Sequence, residues 1–149
     1  MTGAKRIAAA LTMVGISLLI LTGCVPGGYS VDTLKQQPEA ALTYPGSTDV
    51  HTDDYNGSPG NMFGRGGVAM TGKSGTTIDT QAEVLAFYSQ ALEADGWKQT
   101  QESAQNTTPT GIPDHFIVWV KNKLDLSYLV DVWTENGTTK YYTQLRSSD

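Results

Sequence analysis

The sequence is poor in the residues on which disulfides, metal sites and nucleophilic catalysis depend. It has one cysteine and two histidines among 149 residues. No intramolecular disulfide can form, and no set of Cys or His side chains occurs at metal-ligand spacing. The stability of the fold must therefore come from its core. We predict that the protein binds no metal and carries no cofactor.

Basic residues are also scarce. The chain has 10 Lys and Arg against 15 Asp and Glu, a formal net charge of −5. Loss of a leader containing Lys5 and Arg6, argued below, would leave eight basic residues and make the balance more acidic. Nucleic-acid binding needs a cationic surface, so we expect no nucleic-acid partner. The length and the 39% apolar composition predict one domain.

A long apolar run occurs only near the amino terminus. Lys5 and Arg6 precede an apolar run from Ile7 to Leu21. This run is short for a membrane span, which needs about 20 apolar residues. A basic start followed by such a run is typical of a signal peptide. We predict that residues 1–23 are a signal peptide.

The end of this segment resembles the lipobox of bacterial lipoproteins. The residues are Leu21, Thr22, Gly23 and Cys24, the only cysteine. The resemblance implies cleavage between Gly23 and Cys24 and a diacylglycerol on the Cys24 thiol, which would hold the protein on the extracytoplasmic side of the cell membrane. Two acyl chains give stable anchoring, whereas one chain binds only marginally. The alternatives are a secreted chain with a free Cys24 thiol and a retained membrane anchor.

The predicted mature chain divides into a tether and a domain. Residues 24–40 contain Pro, Gly and Gln with few apolar side chains, which predicts a flexible tether. Residues 41–149 form the predicted domain. Its first half offers short strand candidates and two glycine-rich loops, which are predicted at 53–67 and 72–79. The strand candidates are 41–44, 48–52 and 68–71.

The second half of the domain carries clearer local signals. Thr80 and Glu83 fit a capping box, apolar residues follow at helical spacing, and Gly96 favours the helix end. After a predicted loop at roughly 103–113, alternating segments predict strands, and Asn136-Gly137 predicts a two-residue hairpin turn. These strands are 115–121, 124–133 and 138–146. We predict an α+β fold in which one main helix packs on an antiparallel sheet.

The alternation also predicts which side chains share a face of the sheet. Phe116, Val118 and Val120 are expected to meet the helix, together with the apolar set Leu124, Leu126, Tyr128, Val130 and Val132. The opposite face would carry an aromatic patch, which we interpret as a possible binding face. Its residues are Trp119, Leu129, Trp133 and either Tyr141 or Tyr142 from the last strand, of which we assign Tyr142 to the patch. The alternative is a second core, covered by the loop at 53–67 or by the N-terminal strands.

The order of features resembles a loose group of small lipoproteins, mostly from actinobacteria, whose function is uncharacterised. The resemblance is carried by the lipobox, by Tyr44-Pro45-Gly46-Ser47, and by a helix pattern that runs from Val84 through Phe87-Tyr88 to Gly96-Trp97. It covers most of the predicted domain. It implies no catalytic residues.

Two motifs match ligand-binding patterns only in part. Residues 67–74 match the P-loop expression, but a P-loop needs a helix starting at its lysine, and Gly75 to Ile78 are poor helix starters. We predict no nucleotide binding. Asp49, Asp53, Asp54 and Asn56 before Gly57 suggest a calcium loop, but that register places Thr52 first and Phe63 twelfth, where acids are required.

These observations favour a membrane-anchored, non-catalytic binding or structural component of the cell envelope, with an envelope protein or the cell wall as partner. One alternative is a small-ligand-binding module with a pocket between helix and sheet, which would be favoured by Trp97, Trp119 or Trp133 beside convergent polar groups. A second is an envelope hydrolase, which would need a cleft holding two carboxylates or a Ser–His pair.

Overall fold

A computed structural model of the chain describes residues 29–57, 67–107 and 113–147. The predicted signal peptide, the lipobox and its cleavage site at Gly23 and Cys24 lie outside the described residues. So does Phe63. Within the described residues, no helix is long and apolar enough to cross a membrane.

The domain is a six-stranded antiparallel sheet with one main helix on one face, which confirms the predicted α+β class. The strands, in the spatial order β1-β2-β6-β5-β4-β3, are β1 (Thr48–Tyr55), β2 (Met70–Thr77), β3 (Lys98–Thr107), β4 (Pro113–Lys121), β5 (Leu126–Glu135) and β6 (Thr138–Ser147). The helices are α1 (Val31–Lys35) and α2 (Gln81–Ala94), with 3-10 turns at Pro38–Ala41 and Asn122–Leu124.

Helix α2 has the local structure that its sequence predicts. The Thr80 side chain accepts from the Glu83 backbone N–H, and the Glu83 carboxylate accepts from the Thr80 backbone N–H. This capping box satisfies two donors that the helix start leaves unpaired. Gly96 ends the helix at φ +82°, a conformation that glycine adopts without strain. The buried residues Val84, Leu85, Tyr88 and Leu92 face the sheet.

The predicted loop at 72–79 is wrong, because β2 continues to Thr77. Its glycines make room for tyrosine side chains of β6. A Cβ on Gly75 would lie 2.6 Å from Tyr141 Oη, and one on Gly72 would meet the Thr143 carbonyl oxygen first and Tyr142 Oη at 3.1 Å. Glycine inside a strand commonly marks such a close approach. Other boundaries also differ from the prediction: β1 extends to Tyr55 and β3 to Thr107, each into an expected loop, and β5 begins at Leu126 rather than at residue 124. Residues 41–44 form no strand.

The predicted flexible tether is wrong for residues 29–40. Residues 29–44, here called the N-terminal strap, lie on the same face of the sheet as α2. Ser30 caps α1 by accepting from the Thr33 N–H, and Val31 and Leu34 are buried in the core. A tether would leave these side chains in water, whereas their burial stabilises the strap on the domain. Residues 24–28 lie outside the described residues.

The predicted faces are right for β5 and reversed for β4. Four of the five expected residues, Leu126, Tyr128, Val130 and Val132, are buried toward α2. Leu124 instead lies in the 3-10 turn before β5 and is half-buried. On β4, however, Ile117 pairs with Val130, and Trp119 pairs with Tyr128. Ile117 and Trp119 therefore face α2 with their partners, and Phe116, Val118 and Val120 lie on the opposite face, here called the outer face. Both faces of β4 are apolar, so alternation alone could not decide between them.

Candidate functional site

The predicted binding face loses one of its four residues. Trp119 is 0% exposed on the helix side of the sheet, so it cannot belong to an outer patch. The reason is its pairing with Tyr128, which fixes the direction of its side chain. Leu129, Trp133 and Tyr142 do share the outer face, where each is half-buried. For these three residues, a binding role stays a prediction.

Aromatic rings occupy the layer between α2 and the sheet. Tyr88 of α2 packs against Tyr128 and Tyr141, with ring centres 6.3 and 6.0 Å away. Tyr44 of the strap packs edge-on against Phe87 at 5.4 Å. Such contacts stabilise a core beyond the area they bury. Burial raises the pKa of the Tyr88 and Tyr128 phenols well above their usual value.

A buried polar cluster lies at one end of this layer, where the strap meets β4. Glu39 is only 3% exposed. Its Oε1 accepts from Trp97 Nε1 at 2.7 Å and from Lys121 Nζ at 3.0 Å. Lys121 Nζ also donates to Asp95 Oδ2 at 2.7 Å and lies 5.5 Å from the centre of the Trp97 ring. The ammonium group therefore joins the strap, the end of α2 and β4.

The charges in this cluster are mutually stabilising. Burial acts to lower the pKa of Lys121, but hydrogen bonds to Asp95 and Glu39 outweigh it, so the pKa is raised. Hydrogen bonding with the Glu39 carboxyl group and then with Lys121 lowers the pKa of Asp95. Among the described residues, Trp119 Nε1 is buried without a hydrogen-bond acceptor. Unsatisfied buried polar atoms are uncommon in folded proteins.

A groove of about 550 Å³ opens beside this cluster. We call it the basic groove. It is lined by Asp95, Gly96, Lys98, Val120, Lys121, Asn122, Lys123 and Leu124. Tyr29 of the strap lies next to it, because Tyr29 Oη donates to the Leu124 carbonyl oxygen at 2.6 Å. The groove therefore combines three lysines with the apolar side chains of Val120 and Leu124.

The three lysines of the groove differ in their availability. Lys121 is held by two carboxylates. Lys98 and Lys123 are exposed, and neither has a carboxylate partner within the described parts of the chain. Two ammonium groups with unused donors can bind an anion, and the nearby apolar surface can take a short hydrocarbon. This arrangement fits an amphipathic anion.

The arrangement does not resemble a hydrolase site. His51 lies on β1, and His115 Nε2 bonds to Glu102 Oε1 at 3.0 Å; neither residue lines the groove. Glu39 does not line the groove either, because its side chain is buried and bound to Trp97 and Lys121. The groove therefore presents Asp95 without a second carboxylate or a Ser–His pair among its lining residues.

The partial motifs are structural in this fold. Lys73 lies within β2, and its Nζ donates to the Ala41 carbonyl oxygen and to Thr43 Oγ1. No helix begins there, as a phosphate-binding loop would require. Asp53 and Asp54 point to opposite faces of β1, and Asp54 pairs with Lys35. In the described ranges, no three His, Cys, Asp or Glu side chains are grouped as metal ligands.

Comparisons with known proteins yield one family model and one distant structure. A family model described as START domain-like matches residues 68–127, which is less than half of the chain. The match spans α2 and all the lining residues of the basic groove. The chain is also similar to the crystal structure of PA94, a protein of unknown function from Pseudomonas aeruginosa, at 13% identity and a TM-score of 0.44, covering 67% of this chain and 71% of that one. No curated protein matches.

Proposed function

We propose that this protein is a lipid-anchored, non-catalytic binding module on the extracytoplasmic side of the cell membrane, and that its basic groove binds a small amphipathic anion. The observation that carries the ligand proposal is the pair of unpaired lysines, Lys98 and Lys123, beside the apolar side chains of the groove. The anchor rests on the lipobox at Leu21 to Cys24. The similarity to a START domain-like family supports a ligand-binding role.

The buried polar cluster around Glu39 holds one side of the groove in place. Because Lys121 is bound to Glu39 and Asp95, it neutralises Asp95 at the groove and leaves Lys98 and Lys123 to attract the ligand. Charge-assisted hydrogen bonds to an anion are stronger than neutral ones. The strap, through Glu39 and Tyr29, holds this side of the groove in place.

Binding can be tested with n-octyl phosphate as the probe. We expect its addition to shift the backbone amide NMR signals of Gly96, Asn122 and Lys123. Inorganic phosphate, which lacks the hydrocarbon, should bind more weakly, and octyltrimethylammonium should leave these signals unchanged. Shifts confined to other parts of the domain, or no shifts, would refute the proposed site.

The lysines are tested by a charge-matched pair of variants. Lys98→Gln/Lys123→Gln should weaken n-octyl phosphate binding at least tenfold, because each lost charge-assisted bond is worth about 1.5–3 kcal/mol when fully formed. Lys123→Gln alone is then compared with Lys140→Gln, which removes the same charge from the far end of the sheet and should bind the probe normally. Equal weakening in both variants would indicate a nonspecific charge effect and would contradict the assignment.

A further inference from the structure

We propose that the basic groove faces the bilayer that anchors the protein, with Lys98 and Lys123 in contact with anionic lipid headgroups. The contact surface consists of the exposed groove residues Lys98, Asn122 and Lys123 together with the half-buried Leu124. This inference rests on the proposed lipidation of Cys24. It adds an orientation and a membrane partner to that proposal.

The short distance along the chain from the anchor to the domain supports this orientation. Only five residue steps separate Cys24 from Tyr29. Even a fully extended chain covers about 3.6 Å per residue, so Tyr29 must lie within about 18 Å of the anchored residue. Tyr29 is itself attached to the groove, because its Oη donates to the Leu124 carbonyl oxygen.

The strap is packed on the domain, so it does not lengthen the flexible connection between the anchor and the domain. Leu34 is buried in the core, Glu39 is bound by Trp97 and Lys121, and Tyr44 Oη donates to Asp79 Oδ2 at 2.8 Å. These contacts hold residues 29–44 along the face of the sheet. The point at which the domain meets its anchor is therefore the groove end, whereas an unstructured strap would permit any orientation.

The opposite end of the sheet lies much farther from the anchor. β5 and β6 each have ten residues, and a strand rises about 3.3 Å per residue, so the two ends are about 30 Å apart. Ile78, which is 96% exposed, lies at that far end, between β2 and α2. A single exposed apolar residue is common on protein surfaces. The anchor therefore favours the groove end for membrane contact.

The charge distribution favours the same orientation. Without residues 1–23 the chain has eight basic and 15 acidic residues, a formal net charge of −7, so an anionic bilayer repels the domain as a whole. Near the groove the formal charges cancel, and Glu39 is the most deeply buried of the charged residues, so the exposed surface there is less acidic than the rest of the domain. The basic residues are Lys98, Lys121 and Lys123, and the acidic ones are Glu39, Asp95 and Asp125. An acidic domain held within reach of an anionic surface is most stable with its unpaired lysines turned toward that surface.

The orientation can be measured on the lipidated full-length protein. Since the lipid occupies the Cys24 thiol, a cysteine introduced by Asn122→Cys or Ile78→Cys is the one reactive thiol and accepts a fluorophore. The labelled proteins are placed in phosphatidylglycerol vesicles that contain headgroup-spin-labelled phosphatidylcholine as quencher. We expect strong quenching at position 122 and little at position 78.

The role of the lysines is tested with the label at position 122. Lys98→Gln/Lys123→Gln should lower the ratio of quenched to unquenched protein about 25-fold, because each lysine near an anionic surface contributes about fivefold. Lys140→Gln, which removes one cation from the far end of the sheet, is the control and should retain quenching. Phosphatidylcholine vesicles should reduce quenching for the unaltered groove to the level of the double variant.

The outcomes separate this inference from the proposed anchor. Reaction of two thiols, or protein that remains in solution, would show that Cys24 is unmodified and would refute the anchor. Protein that is lipidated and membrane-bound but quenched equally at positions 78 and 122 would refute the orientation alone. Quenching at position 122 that survives the loss of both lysines would refute the headgroup contact.

Discussion

The reversed face of β4 makes a sharp prediction about two tryptophans. Trp119 is 0% exposed between the sheet and α2, next to Tyr128. Trp133 lies on the outer face and is half-buried. Truncation of a fully buried tryptophan to alanine costs about 3–5 kcal/mol, because it removes apolar burial and leaves a cavity. For a partly buried ring that leaves no closed cavity, we expect about 1–2 kcal/mol.

The prediction is tested by urea unfolding of Trp119→Ala and Trp133→Ala beside the unaltered protein, followed by far-UV circular dichroism so that the loss of a fluorophore does not interfere. Similar m values would show that the same surface is exposed on unfolding. Trp119→Ala should be the less stable variant by at least 1 kcal/mol. Equal stabilities, or a larger loss in Trp133→Ala, would refute the register that places Trp119 in the core.

Three further predictions concern the strap, the core tyrosines and β2. Glu39→Ala should lower the free energy of unfolding by about 1–3 kcal/mol, because it leaves the buried Trp97 N–H without an acceptor. Glu102→Ala, which removes an exposed pair with His115, should lower it by less than about 1 kcal/mol. Denaturant unfolding of the two variants compares these losses. Burial and then the hydrogen bond to Asp79 raise the pKa of Tyr44 from 10.0 to about 12, so the native state holds the phenolic proton more tightly than the unfolded chain does. The contribution of this proton to the free energy of unfolding is complete below pH 10 and is lost as the pH rises toward 12. Tyr44→Phe should therefore flatten the alkaline fall in the free energy of unfolding, and an unchanged slope would contradict the bond. Gly75→Ala should cost about 1–3 kcal/mol by pressing on Tyr141, while thermal melts of Ser74→Ala should stay near the parent.

The parts of the fold that could be predicted are those with local signals. The capping box of Thr80 and Glu83 and the Asn136-Gly137 turn each act within a few residues, and both features are present in the structure. The strand character of residues 72–77 depends instead on tyrosines about 70 positions away. The strap was missed for the same reason: its few apolar residues suggest a tether until the surface that buries them is known.

The residues of the candidate site likewise divide into those that local patterns could predict and those that depend on distant contacts. Alternation along β5 correctly placed Leu129 and Trp133 on one face, but on β6 it left Tyr141 and Tyr142 as alternatives, and only the strand register puts Tyr142 beside them. It could not place Trp119, because β4 is apolar on both faces. The cluster of Glu39, Trp97 and Lys121 joins residues up to 82 positions apart, and no spacing rule connects them. The only local hint was Trp97, whose indole N–H needs an acceptor when it is buried.

We propose above that a lipid on Cys24 holds this protein at the membrane, and every membrane experiment described here depends on that lipid. The most direct test is the intact mass and N-terminal peptide of the protein extracted from its native membranes. We expect the mature chain to begin at Cys24 and to carry a diacylglycerol thioether on that residue. A mature chain with an unmodified thiol at position 24 would contradict it.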